Sequence, residues 1–146
     1  MSRIKLTWNQ YNSKLQNFAT LLKNDEFDYI IPIARGGWVP ALIISHELDV
    51  RGVFSFGTMS YDDKSDERLT KTVICQIPSP KELKGKRVLI VDDIVDTGRT
   101  MSTVTGWLTK HKVKYKTAAL FKKKGALFVP DYYWEENKQW IQLPYE

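Results

Sequence analysis

The sequence predicts an α/β fold, a parallel sheet flanked by helices and joined by right-handed crossovers. Short apolar runs suited to buried strands, at residues 29–33, 88–91 and 116–121, alternate with stretches of helical periodicity at residues 7–23, 38–48 and 101–110. Two of the strand runs lead into glycines or acids, 29–33 into Ala34-Arg35-Gly36-Gly37 and 88–91 into Asp92-Asp93, and these would lie at the carboxyl edge of a parallel sheet, where ligands bind. At 146 residues and 42% apolar composition, one domain (1–146) with a full core is expected, without internal repeat or linker.

Residues 7–23 form the first helix. Thr7 and Gln10 fit a capping box, and Trp8, Tyr11, Leu15, Phe18, Leu21 and Leu22 recur at three and four residues as a core-facing stripe. A short strand at 29–33 breaks at Ala34-Arg35-Gly36-Gly37. A second helix follows at 38–48, with Pro40 acceptable in its first turn. Residues 52–57 read as a strand. Residues 57–71 are polar, weakly periodic and read as a long mobile loop, a kind usually functional or disordered. A strand at 72–77, turns at Pro78-Ser79-Pro80 and Lys84-Gly85, the strand from Val88, a helix at 101–110 and a strand at 116–121 complete the pattern. From Lys122 onward the chain reads as irregular and aromatic-rich.

Composition narrows the setting. No apolar run approaches the ~20 residues a membrane span needs, and no signal peptide is apparent. Cys75 stands alone, so no internal disulfide forms and a cytoplasmic location is expected. His46 and His111 are far apart in sequence, which disfavours zinc. The net charge of +5 suits small polyanions or nucleic acid, although most of the lysines read as solvated surface.

Residues 88–100 read VLIVDDIVDTGRT. Four apolar residues lead into Asp92 and Asp93, then Asp96 and the small polar turn Thr97-Gly98-Arg99-Thr100, which opens a helix. Turn and helix N-terminus offer N–H groups and a positive dipole end to a phosphate. The acids can take sugar hydroxyls or a metal. Asp96 can also cap the helix. Together these features suit a sugar phosphate.

This string resembles the phosphoribosyl pyrophosphate (PRPP) signature of type I phosphoribosyltransferases. The order of the remaining motifs resembles the 6-oxopurine group, nearest the xanthine-guanine (hypoxanthine) enzymes. The resemblance implies a Rossmann-like parallel sheet flanked by helices, with a small hood from the C-terminal and N-terminal segments, mainly 122–146. It implies that Asp92 and Asp93 bind the ribose hydroxyls, that Asp93 also reaches Mg2+, and that Asp96, Thr97, Gly98, Arg99 and Thr100 hold the 5′-phosphate. Asp96 would manage the purine N7 proton as the catalytic residue. Ala34, Arg35, Gly36 and Gly37 match the pyrophosphate loop, which in this group can hold a non-proline cis peptide. Ser60 and Tyr61, with Arg68, match a flexible loop that closes over the site.

In the hood, Lys123 matches the lysine that donates to purine O6, with Lys122 as the competing candidate. Trp140 matches the aromatic that stacks on the base, and the Ile141 carbonyl accepts from a 2-amino group. Tyr132, Tyr133 and Trp134 read as packing residues. The implied activity is transfer of the phosphoribosyl group from PRPP to N9 of xanthine, guanine or hypoxanthine, releasing pyrophosphate, by a homo-oligomer (dimer or tetramer) that does not bind nucleic acid. The alternative is a non-catalytic PRPP sensor that binds nucleic acid.

Overall fold

The computed structural model describes residues 2–61 and 71–146, and of Ser60, Tyr61 and Lys71 the backbone alone. The chain begins with β1 (Arg3–Lys5), α1 (Trp8–Leu22), β2 (Tyr29–Ala34), α2 (Trp38–Glu47), β3 (Gly52–Val53) and β4 (Phe56–Tyr61). It continues through β5 (Lys71–Gln76), α3 (Pro80–Leu83), β6 (Arg87–Val95), α4 (Arg99–Lys110), β7 (Lys114–Lys123), β8 (Tyr132–Asn137) and β9 (Trp140–Gln142).

The main sheet runs β5-β4-β2-β6-β7-β8, with β3 also pairing β2. All pairs are parallel except β4 with β5. Pro32 contributes no N–H to the ladder. It falls where β2 changes partner on one edge, between the levels of β3 at Ile30 and β4 at Ile33. A separate two-stranded sheet pairs β1 with β9 in parallel, Arg3 opposite Trp140 and Ile4 opposite Ile141. The hood is thus closed by strand pairing between its two chain segments.

Helix α1 starts as expected: Thr7 Oγ1 accepts from the Gln10 N–H and Gln10 Oε1 from the Thr7 N–H, at 3.2 and 2.9 Å. It buries Tyr11, Leu15, Phe18, Ala19 and Leu22, whereas Trp8 and Leu21 flank the stripe and stay about half exposed. One face of the sheet packs Leu89, Val91, Ala118 and Leu120 against α1 and α2; the other packs Val88, Ile90 and Ala119 with Met101, Val104 and Leu108 of α4. Side-chain alternation along β6 delivers one residue to each core in turn.

Three expectations are corrected. Residues 57–61 are not loop but all of β4 beyond Phe56, paired with β5 from Gly57↔Gln76 to Tyr61↔Lys71; their polarity reflects an edge hairpin rather than missing structure. The segment after Lys122 is not irregular: β7 runs to Lys123 and strands β8 and β9 follow. The strand bearing the acids does not end at Val91 but continues through Val95. Arg68 lies outside the described residues.

Candidate active site

The acids of β6 sit where its regular alternation breaks. Leu89 and Val91 face the α1 core and Val88 and Ile90 the α4 core; beyond the acids the phase is reversed, with Ile94 on the α1 side and Val95 on the α4 side. Each aspartate accepts the next backbone N–H. Asp92 Oδ1 takes that of Asp93 at 2.9 Å, and Asp93 Oδ1 takes that of Ile94 at 2.6 Å. Such local bonds compete with the ladder and let the strand bend. The two carboxylates accordingly line different clefts. Asp92 belongs to one of about 310 Å³ with Asp96, Thr97, Gly98, Arg99 and Thr100. Asp93 belongs to a wider one of about 1080 Å³ with Arg35, Gly36, Trp38, Tyr145 and Glu146. Burial drives the Asp92 carboxyl well above the ordinary carboxylate range, and the neighbouring Asp93 charge adds to this.

The turn at 97–100 is shaped by Gly98, whose φ of 96° is left-handed. A Cβ there would also lie 2.6 Å from Phe128 Cβ and 2.7 Å from its backbone nitrogen. The connection from β7 to β8 therefore covers this turn, and the Leu127 N–H donates to the Thr97 carbonyl at 3.0 Å. Thr97 Oγ1 accepts from the Arg99 N–H at 3.3 Å, and Thr100 Oγ1 lies 3.3 Å from Thr72 Oγ1 of β5. Asp96 does not cap α4; its carboxylate turns to Lys123. An uncapped helix start behind a glycine turn is suited to an anion.

The loop at 34–37 meets the acids from β2. The Ala34-Arg35 peptide is cis. Gly36 lies so close to Asp93 that a Cβ there would fall 2.3 Å from Oδ2. Any larger residue would displace the carboxylate.

A third cleft, of about 260 Å³, is lined by Ile94, Asp96, Phe121, Lys122, Lys123, Asn137, Gln139, Trp140 and Ile141. Lys123 Nζ lies 3.2 Å from Asp96 Oδ1. Lys122 is instead committed to packing: its side chain is 8% exposed, its Nζ is 3.3 Å from Glu136 Oε2, and it lies over the Tyr133 ring. Trp140 stays 42% exposed while Ile141 beside it is buried. Tyr132 packs against the α1 core and hydrogen-bonds Asp25, as its reading as a packing residue anticipates.

Asp92, Asp93, Asp96, Thr97, Gly98, Arg99, Thr100, Lys123, Trp140, Ile141 and the 34–37 loop thus gather along one sheet edge. Ser60 and Tyr61 lie at the end of β4, their side chains outside the described residues. Sequence reasoning missed Asn137, Gln139 and Tyr145, whose residue types carry no signal of their own. Among the described residues no cluster of three or more metal-type ligands exists. Asp93, in the open cleft beside the 34–37 loop, fits magnesium, which commonly takes one or two carboxylates and completes its shell with water and substrate phosphates.

The phosphoribosyl transferase domain family matches residues 10–145. A xanthine-guanine phosphoribosyltransferase of Desulfotalea psychrophila is 32% identical over 143 residues, covering 97% of this chain and 84% of that protein. One of Idiomarina loihiensis is 29% identical over 144 residues, covering 97% and 85%. The crystal structure of a purine phosphoribosyltransferase from Pyrococcus horikoshii superposes with a TM-score of 0.86 at 36% identity, covering 100% of this chain and 95% of that one. Nearly the whole chain is accounted for by one family, and it belongs to the phosphoribosyltransferases.

Proposed function

We propose that this chain is a purine-salvage phosphoribosyltransferase that joins a 6-oxopurine (xanthine, guanine or hypoxanthine), through N9, to C1′ of PRPP and releases pyrophosphate. The observation that carries the base assignment is the pairing of Lys123 with Asp96 at the mouth of the Trp140 cleft. O6 and N7 are neighbouring acceptors on one edge of a 6-oxopurine. An ammonium and a carboxylate 3.2 Å apart match that edge when N7 carries a proton: Lys123 donates to O6 and Asp96 accepts from N7. Adenine presents an amino donor at the 6-position, which an ammonium cannot accept.

The 5′-phosphate is assigned to residues 97–100, the ribose hydroxyls to Asp92 and Asp93, and the leaving pyrophosphate to the 34–37 loop. As the C1′–oxygen bond to pyrophosphate breaks and the N9–C1′ bond forms, Asp96 takes the proton the base loses from N7. The sugar passes through oxocarbenium character, so the chain's contribution is orientation and electrostatic stabilisation. Asp93 would hold magnesium, which when bound would neutralise charge on the departing pyrophosphate. Trp140 stacks on the base. The Ile141 carbonyl accepts from a 2-amino group. Ser60, Tyr61 and Arg68 belong to the proposed closing loop. A cytoplasmic location and assembly into a dimer or tetramer complete the reading; no described helix is long and apolar enough to cross a membrane.

A coupled absorbance assay with PRPP, magnesium and each purine tests this. Turnover with 6-oxopurines but not adenine supports it; absence of turnover with every 6-oxopurine overturns it.

A further inference from the structure

The hydroxyl of Tyr145 donates to the carbonyl oxygen of Gly36 at 3.1 Å and lies 2.9 Å from the hydroxyl of Tyr11. A phenol carries one proton. With the Tyr145 proton given to Gly36, the second contact runs from Tyr11 to Tyr145. The direction Tyr11→Tyr145→Gly36 is therefore set. Tyr11 is completely buried on α1, and the two rings meet edge to face with centroids 5.7 Å apart. Trp8 flanks Tyr145 at 5.9 Å.

The turn bearing Tyr145 is itself fastened. The Glu146 N–H donates to the Leu143 carbonyl at 3.2 Å, and Glu146 Oε2 accepts from the Leu143 N–H at 3.1 Å. At the receiving end, the Gly37 N–H donates to the Ile33 carbonyl at 2.9 Å. The Gly36–Gly37 peptide is consequently held at both its oxygen and its nitrogen. Its two glycines supply no side chain with which to hold themselves, and Gly36 rests on the Asp93 carboxylate. Tyr145 opens on the same cleft as Arg35, Gly36 and Asp93.

We propose that Tyr145 is a positioning residue for the pyrophosphate end of the substrate: through its hydroxyl it clamps the Gly36–Gly37 peptide, so that the loop presents its groups to pyrophosphate already ordered. This rests on the assignment of residues 34–37 to pyrophosphate made above. Preorganisation of this kind appears in affinity for the group the loop holds, not in affinity for the base.

The test is Tyr145→Phe, which keeps the ring contacts and removes both hydrogen bonds. Calorimetric titration with magnesium pyrophosphate, beside steady-state kinetics, is expected to show a Kd for pyrophosphate and a KM for PRPP raised about five- to tenfold. The KM for guanine stays close to wild type, while the melting temperature falls by a few degrees because the buried Tyr11 hydroxyl loses its partner. Tyr11→Phe shifts the same constants in the same direction by less, and the double variant is no worse than Tyr145→Phe alone. Unchanged pyrophosphate affinity in Tyr145→Phe overturns the proposal, as does an equal rise in the KM for guanine, which marks a merely structural role. A wild-type protein that neither binds magnesium pyrophosphate nor turns over any purine overturns the functional reading itself. A competent wild type with an indistinguishable Tyr145→Phe removes only the role of Tyr145.

Discussion

Lys123 and Asp96 face each other at 3.2 Å across the carboxyl ends of β7 and β6. The adjacent Lys122 points to Glu136 and is nearly covered. Two consecutive lysines on one strand therefore have separate destinies, and substitution separates them. Lys123→Ala is expected to raise the KM for guanine about ten- to a hundredfold, the usual weight of a charge-assisted hydrogen bond. Lys122→Ala leaves that constant near wild type and lowers stability by about 1–3 kcal/mol, because the nearly buried Lys122 stem leaves a void. Michaelis constants and urea unfolding of both variants check this. A normal guanine KM in Lys123→Ala transfers the role to Lys122.

Asp96 neither caps α4 nor supports the strand, so its loss is expected to be chemical rather than structural. Asp96→Ala retains PRPP binding, read by calorimetry, while kcat falls about a hundredfold or more, the range of a lost general base. Unchanged turnover removes the assignment.

Much of this site was legible because it is local. Strand, acids, glycine turn and helix start lie within residues 88–100, and residue type at each position states the chemistry. The glycines at 36 and 37 were legible for the same reason. What stayed hidden depends on chain segments remote in sequence. Strands β1 and β9 are three residues each, too short for a period, and exist by pairing Arg3–Lys5 with Trp140–Gln142. The choice between Lys122 and Lys123 turns on Glu136 of β8, itself in a segment with no clear alternation. Residues 57–61 lack apolar periodicity because β4 and β5 form an outer hairpin. The role of Tyr145 depends on Tyr11 and Gly36, which lie more than a hundred residues away in sequence.

The Asp92 carboxyl, raised by burial and then by Asp93, makes stability depend on pH. A raised value means the folded protein binds that proton more tightly than the unfolded chain. Stability is then highest below the ordinary carboxylate range and declines as pH rises through the raised value. Asp92→Asn removes this dependence. It is expected to be more stable than wild type at pH 7 and to bind PRPP more weakly. Melting temperatures from pH 4 to 8 check it: parallel curves for the two proteins contradict the account.

Gly98 is constrained twice, by its left-handed φ and by Phe128. Gly98→Ala is expected to cost about 1–3 kcal/mol from the backbone alone, with the Phe128 overlap adding to it. Denaturant unfolding gives the stability, and titration with a nucleoside monophosphate gives the accompanying loss of phosphate affinity. A variant with wild-type stability contradicts the conformation assigned to this turn.

The most direct measurement is a crystal structure of the protein with guanosine monophosphate and magnesium pyrophosphate. The account predicts the phosphate on the 97–100 turn, the ribose against Asp92 and Asp93, guanine between Trp140 and the Lys123–Asp96 pair, and pyrophosphate at the loop clamped by Tyr145. Nucleotide bound away from the carboxyl edge of β6, with that edge empty, would contradict it.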